Sequence, residues 1–390
     1  MESKVLEDLR CLRVDQVGSL LRPPILKSAF VSFLKKNSNK QELYQVQDRC
    51  IRDLIATQEA HQLPVLTDGE FRRLNFMESF GEVAGMDQWK ARWADILQAL
   101  EEQQIEGVES TLDLPERGAD PVLSIRKPVN QKLQLGKNRP LGEYLFSSDL
   151  TDRPVKITLI GADRIVQGYD YQNSRSIYSD IDEFLVDVVS IERQIVGQLV
   201  EAGCRYIQID EPAYTRYVDE HSLEAMRSWG EDPSENLNRS IQADNKAIEE
   251  FSGAIFGLHL CRGNRQSMWH REGAYDKIAE ILFNNLNHHR FLLEYDTERA
   301  GGFEPLRFVP KNKMVVLGLI TTKVGKVETV DELKRRIEEA TQYIPVEQLA
   351  LSPQCGFASN IPGNLLSQDD QWRKLDVMLE TADQVWGTVG

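Results

Sequence analysis

The residues best suited to chemistry in this chain begin with the stretch GLHLCRGN at 257–264. The apolar run IFGLHL reads as a short buried strand, closed by His259 and Cys261 two residues apart. Side chains two apart on a strand share a face, so an imidazole and a thiol leave the strand end together. Arg262-Gly263-Asn264 follows at once as a loop signal. A histidine beside a thiolate is good zinc chemistry, but two ligands do not make a site. Taken alone, the pair reads more readily as core than as metal centre, so its weight rests on partners at equivalent places elsewhere.

The elements that must position such partners recur along the chain. VDQVGSLLRP (14–23) reads as a first strand ending in Gly18-Ser19, and Pro23-Pro24 open a helix, ILKSAFVSFLKK. A helical pattern from about 40 to 62 leads into a second strand, LPVLTDGE (63–70). Residues 71–150 are less regular, with a tryptophan-bearing helix expected at about 87–103 and VLSIRKPVNQKLQLG expected as a hairpin. From 154 the rhythm is regular. PVKITLIG, CRYIQIDEP, IFGLHLC, RFLLEYD, MVVLGLIT and LALSPQC alternate with amphipathic helical patterns at 181–203, up to about 251, 274–287, 329–344 and 368–387. Eight apolar strands, most followed by helices, imply a parallel sheet covered on both faces. The expectation is an α/β fold, a (β/α)8 TIM barrel forming one domain over 1–390 with an insertion at about 82–150 after the second strand; a doubly wound open sheet is the alternative.

In a barrel the chemistry gathers at the C-terminal ends of the strands. Those ends carry Asp68 and Glu70, Asp210 and Glu211, His259 and Cys261, Glu294 and Asp296, Thr321 and Thr322, and Cys355. Cys204 begins its strand and belongs to the opposite face, as does His288-His289, which reads as a helix-capping pair. This division turns a weak His-x-Cys into a zinc site of His259, Cys261 and Cys355, with Glu294 as candidate fourth ligand. Zinc held by two thiolates and an imidazole is suited to binding a further thiol as thiolate, and surrounding carboxylates suit a substrate amine. The bland alternative is a closed zinc that only staples the barrel.

Composition narrows the partners. The chain has 390 residues, 41% hydrophobic and 27% charged, with a net charge of −15. That balance argues against nucleic acid and anionic membrane as partners. No apolar run of spanning length and no signal-peptide pattern occurs, which leads to a cytoplasmic expectation. Five scattered cysteines read as free thiols or ligands. No phosphate-cradling glycine motif points to a nucleotide cofactor.

Read in order, VGSLLRP (17–23), DGEFRRLNFMESFGE (68–82), IQIDEPAY (207–214), HLC (259–261), LLEYD around Glu294 and SPQCGF (352–357) resemble the catalytic barrel of the cobalamin-independent methionine synthases. The resemblance implies a (β/α)8 barrel and a zinc-dependent methyltransferase that moves a methyl group onto the thiol of homocysteine to give methionine. It implies Zn2+ on His259, Cys261, Glu294 and Cys355, the substrate amine on Asp210 and Glu70, and the carboxylate received at Gly18 and Ser19. Two departures bear on the donor. The family's full-length members carry a second, N-terminal barrel, which this sequence lacks, and their histidine after strand 7 is missing from GLITTKVGKVET (318–329), where Lys323, Lys326 and Glu328 are the candidate proton donors. The donor therefore stays open between 5-methyltetrahydrofolate, a corrinoid protein and another methylated metabolite, as do a homo-oligomer and a methyl-donor partner protein. Thiol alkyltransferases of the epoxyalkane:coenzyme M transferase type share the His-x-Cys…Cys pattern; for these, Arg72, Arg73 and Arg262 are candidate partners of a sulfonate. A non-catalytic zinc- or thiol-binding barrel is the remaining reading.

Overall fold

The computed structural model describes residues 2–86, 111, 117–118 and 126–390. Two short strands, β1 (Val83–Ala84) and β2 (Gln134–Leu135), pair antiparallel outside the main sheet. The main sheet is parallel and runs β3 (Lys156–Ile160), β4 (Tyr206–Asp210), β5 (Ile255–Leu260), β6 (Arg290–Glu294), β7 (Met314–Ile320) and β8 (Leu349–Pro353) in sequence order. Every residue of these six strands is buried. That explains why they read as continuous apolar runs instead of alternating ones.

The first two expected strands do not form ladders. Segment 14–18 meets the sheet at a single bridge, Val14 to Leu351, and segment 63–67 at another, Leu66 to Val155. They flank opposite edges, β8 and β3, and side chains join them to each other. Gln16 Nε2 donates to the carbonyl of Val65 (2.8 Å), and Thr67 Oγ1 donates to the carbonyl of Gly18 (2.8 Å). The two segments are thus joined at this seam by side-chain hydrogen bonds and not by a backbone ladder. Pro64 lacks an amide hydrogen to contribute there.

Helices cover the outside. Lys40–Ala60 starts with a capping box of Asn39 and Glu42, Val330–Ala340 with Thr329 and Glu332, and Gln368–Trp386 with Ser367 and Asp370. Three elements were not anticipated: the helices Glu2–Cys11, Arg139–Ser148 and Ala162–Gln167. The expected helix at 87–103 lies outside the described residues, as does the start of the expected hairpin. The described part of that hairpin pairs with Val83–Ala84 instead of with itself. His288 and His289 cap no helix. His288 is fully buried with both ring nitrogens unpartnered, and His289 Nδ1 accepts from the amide of Phe256 (3.0 Å). Among the described residues no helix is long and apolar enough to cross a membrane.

Candidate metal and substrate site

The parallel register brings the chemistry together. Ile160, Asp210, His259 and Leu292 lie side by side across β3 to β6, so Asp210 and His259 are direct neighbours at the strand ends. The ligand atoms of His259, Cys261 and Cys355 lie within 4.8 Å of one another, and all three residues are buried. His259 Nδ1 faces the carbonyl of Leu292 (3.3 Å), which fixes the ring and leaves Nε2 buried with no hydrogen-bond partner. A buried, orphaned imidazole nitrogen beside two thiols is the arrangement a soft divalent metal satisfies. The two thiols polarise each other: the Cys355 hydrogen bond and His259 push Cys261 well below its ordinary range, while the Cys261 thiolate and burial push Cys355 up. All five cysteines are free.

Glu294 stands apart from this trio. It is fully buried, but its Oε2 accepts from the amide of Arg262 (2.7 Å) and its Oε1 from Arg299 (2.9 Å). Its carboxylate is therefore committed to protein donors, and joining the metal would require Arg299 to release it.

One small cavity, of about 30 Å3, collects most of the remaining candidates. Ser19, Glu70, Asp210, His259, Cys261 and Cys355 line it, together with Val17, Phe76, Pro212, Gly356 and Ser359. Gly18 is not among these lining residues; it turns the chain beneath the cavity at φ +136°, and a Cβ there would stand 2.5 Å from the Thr158 methyl. Glu70 is a non-glycine residue at φ +59°, a conformation that costs about 1 kcal/mol or more and must be held by its surroundings. Asp68 Oδ1 accepts its amide (2.8 Å), Arg22 donates to its carbonyl (2.8 Å), and Thr158 Oγ1 donates to its Oε1 (2.8 Å). Glu70 Oε2 is left buried without a partner. Burial pushes the Asp210 carboxyl up to about 7, with Glu70 adding to the rise and His259 opposing it.

The three candidate arginines are committed to protein partners. Arg73 holds Glu143 at 2.6 Å and stands 3.6 Å from Glu70 Oε1, Arg72 holds Asp48 at 2.6 Å, and Arg262 binds Tyr275 and the carbonyls of Glu294 and Gly273. Lys323 is buried beside the site and donates to the carbonyl of Gly263 (2.7 Å) and Oδ1 of Asn264 (3.2 Å). Glu328 is held by the amide of Thr321 and by Lys374, and Lys326 is exposed. Phe76, Val17, Gly356 and Ser359 went unremarked as site residues because nothing in their types signals chemistry; only the fold brings them to the cavity.

A ligand trio that could hold a metal ion and a carboxylate pair thus gather at the C-terminal ends of the strands of a parallel α/β fold. Residues 124–383 match the family described as cobalamin-independent synthase, catalytic domain, and the chain belongs to that family. The Bacillus subtilis protein YxjH, described as uncharacterized, is 33% identical over 384 residues, 96% of this chain and 94% of its own length. A methionine synthase of Pyrococcus abyssi is 27% identical over 229 residues, 58% of this chain and 57% of that protein. The solved B12-independent methionine synthase of Shewanella sp. W3-18-1, a complex with selenomethionine, shares the fold at a TM-score of 0.69 with 18% identity, covering 96% of this chain and 98% of that one.

Proposed function

We propose that this chain is a zinc-dependent methyltransferase that moves a methyl group onto the thiol of homocysteine. The observation that carries the reading is the single cavity in which two thiols and an orphaned imidazole face two carboxylates. His259, Cys261 and Cys355 would hold the ion, with Glu294 joining if Arg299 lets it go. Zn2+ bound there supplies a Lewis acid that favours the thiolate of a substrate thiol near neutral pH. Asp210 and Glu70 accept the substrate ammonium, and Ser19 with the turn at Gly18 receives its carboxylate. Phe76, Val17 and Pro212 exclude water from the reacting sulfur. The sulfur electron pair forms the new bond to the methyl carbon while the donor keeps the pair of the bond that breaks. The donor, 5-methyltetrahydrofolate or another methylated compound, approaches from the open side of the barrel mouth. A selenomethionine complex of a structural relative supports an amino-acid product of this shape.

The cavity's lining also weighs against a sulfonated thiol. Its described residues include no lysine or arginine. Zinc-edge X-ray absorption on the purified protein tests the reading. Homocysteine is expected to add one sulfur to the zinc shell. If coenzyme M alone adds one, an epoxide-opening alkyltransferase replaces this reading; if neither thiol changes the shell, a closed structural zinc does.

A further inference from the structure

The carboxylate assigned to the substrate amine is the top of a buried polar column that runs down the inside of the sheet. Tyr206, Gln208 and Asp210 alternate along β4 and so face the same way. Gln208 Nε2 donates to Asp210 Oδ1 (2.7 Å) and to the carbonyl of Val17 (2.7 Å), while its Oε1 accepts from Lys156 Nζ (2.8 Å). Lys156 in turn donates to Asp15 Oδ1 (2.7 Å), and Tyr206 and Arg290 hold the other Asp15 oxygen at 2.5 and 3.2 Å. Gln208 is fully buried, and Asp15, Lys156 and Asp210 are nearly so.

The polarity of this column is fixed by chemistry. An ammonium only donates, so the amide atom facing Lys156 must be the oxygen. The amide nitrogen is then turned toward Asp210 Oδ1 and the carbonyl of Val17, both of which accept from it. A flipped amide would set oxygen against oxygen at Asp210 and nitrogen against ammonium at Lys156. Both Nε2 hydrogens are used, so the glutamine has no freedom left. A carboxylate that receives a buried donor on one oxygen is held in one rotamer, with its other oxygen left for the cavity that Asp210 lines.

We propose that Gln208, oriented by Lys156, is a positioning residue for Asp210 and thereby sets the site's preference for a thiol that carries an amine. The inference rests on the proposed role of Asp210 as amine anchor. Nothing about Gln208 requires it to touch substrate. It acts by fixing where the anchoring oxygen stands, and a site held loosely loses selectivity before it loses fold.

The test compares homocysteine with 4-mercaptobutanoate, which has the same thiol and carboxylate and no amine. Binding of each to zinc-loaded protein is measured by calorimetry, for wild type and Gln208→Met. Wild type is expected to prefer homocysteine. Gln208→Met is expected to bind homocysteine about tenfold or more weakly, the value of one hydrogen bond to a charged group, and 4-mercaptobutanoate unchanged, with zinc content intact. Equal losses for both thiols, or no loss for either, overturn the inference while leaving the amine anchor standing. A wild type with no preference for the amine overturns the anchor reading and the inference together. Should Gln208→Met not fold, Gln208→Leu, of similar volume and likewise without the donor to Asp210, carries the same expectation.

Discussion

Replacing Arg73 by methionine tests how the mouth of the barrel is held. Arg73 and Glu143 are each 1% exposed. The guanidinium meets Glu143 through Nε at 3.1 Å and Nη2 at 2.6 Å, and reaches the hydroxyl and carbonyl of Thr158 at 3.0 and 2.9 Å. Thr158 holds Glu70. Arg73→Met strands the Glu143 carboxylate in the interior, and breaking a buried pair from one side costs about 3–5 kcal/mol. Removing both charges, in Arg73→Met with Glu143→Leu, leaves no uncompensated ion and should return stability to within about 2 kcal/mol of wild type. Urea unfolding at a constant denaturant slope reads both, and the cycle should give a coupling of about 2 kcal/mol or more. Both variants should also bind homocysteine more weakly, because Thr158 loses the partner that orients it toward Glu70. A single-variant loss below about 1 kcal/mol, or a double variant no better than the single, would refute the view that Arg73 and Glu143 compensate each other as a buried pair.

Two further outcomes follow from the same structure. Asp244 is buried beside Asp163 and Glu211, and burial pushes its carboxyl up to about 7 although Tyr214 donates to it at 2.6 Å. The folded state thus keeps a proton that the unfolded chain releases near pH 4, so stability falls as pH rises toward 7; Asp244→Asn should flatten the fall between pH 5 and 8 by about 2 kcal/mol, measured by urea unfolding at each pH, and an unchanged slope would show that Asp244 is ionised in the fold. At the cavity wall, a Cβ on Gly356 would stand 1.9 Å from Ser19 Oγ; Gly356→Ala should turn that hydroxyl away and lower homocysteine affinity about fivefold with little change in stability, and unaltered affinity in calorimetry would remove Ser19 from the substrate site.

What was legible in the sequence follows from what each signal depends on. The six ladder strands could be read because burial on both faces demands unbroken apolar runs, and the trio His259, Cys261 and Cys355 because each stands at the C-terminal end of one. The two N-terminal segments looked alike, yet they join the sheet by one bridge each, since their adhesion comes from Gln16 and Thr67 side chains that carry no strand signature. Arg73 and Glu143 are 70 residues apart, and Gln208 is an uncharged polar residue between two isoleucines of its strand. Their roles depend on partners that only the folded chain brings near. Glu294 illustrates the converse: its position at a strand end was readable, but the grip of Arg299 on its carboxylate was not.

The distribution of charge argues for what the cavity must take. Its lining offers two carboxylates and two thiols and, among the described residues, no lysine or arginine. Arg22 points to the carbonyls of Glu70 and Arg73, Arg73 to Glu143 with Glu70 Oε1 at 3.6 Å, and Lys323 to Gly263 and Asn264. Four acidic groups gathered in a small buried space repel one another, and protonating them all would blunt the nucleophile the site is built around. On the proposed function, two cations would resolve the conflict at its two ends: a divalent metal on the thiols and the orphaned Nε2 of His259, and a substrate ammonium on Asp210 and Glu70. A ligand that brings its own ammonium and its own thiol, spaced by a short aliphatic chain, bridges both ends at once. On that proposal, simple thiols and simple amines would each fill only one end, and removing the ion would be expected to weaken binding of the thiol end.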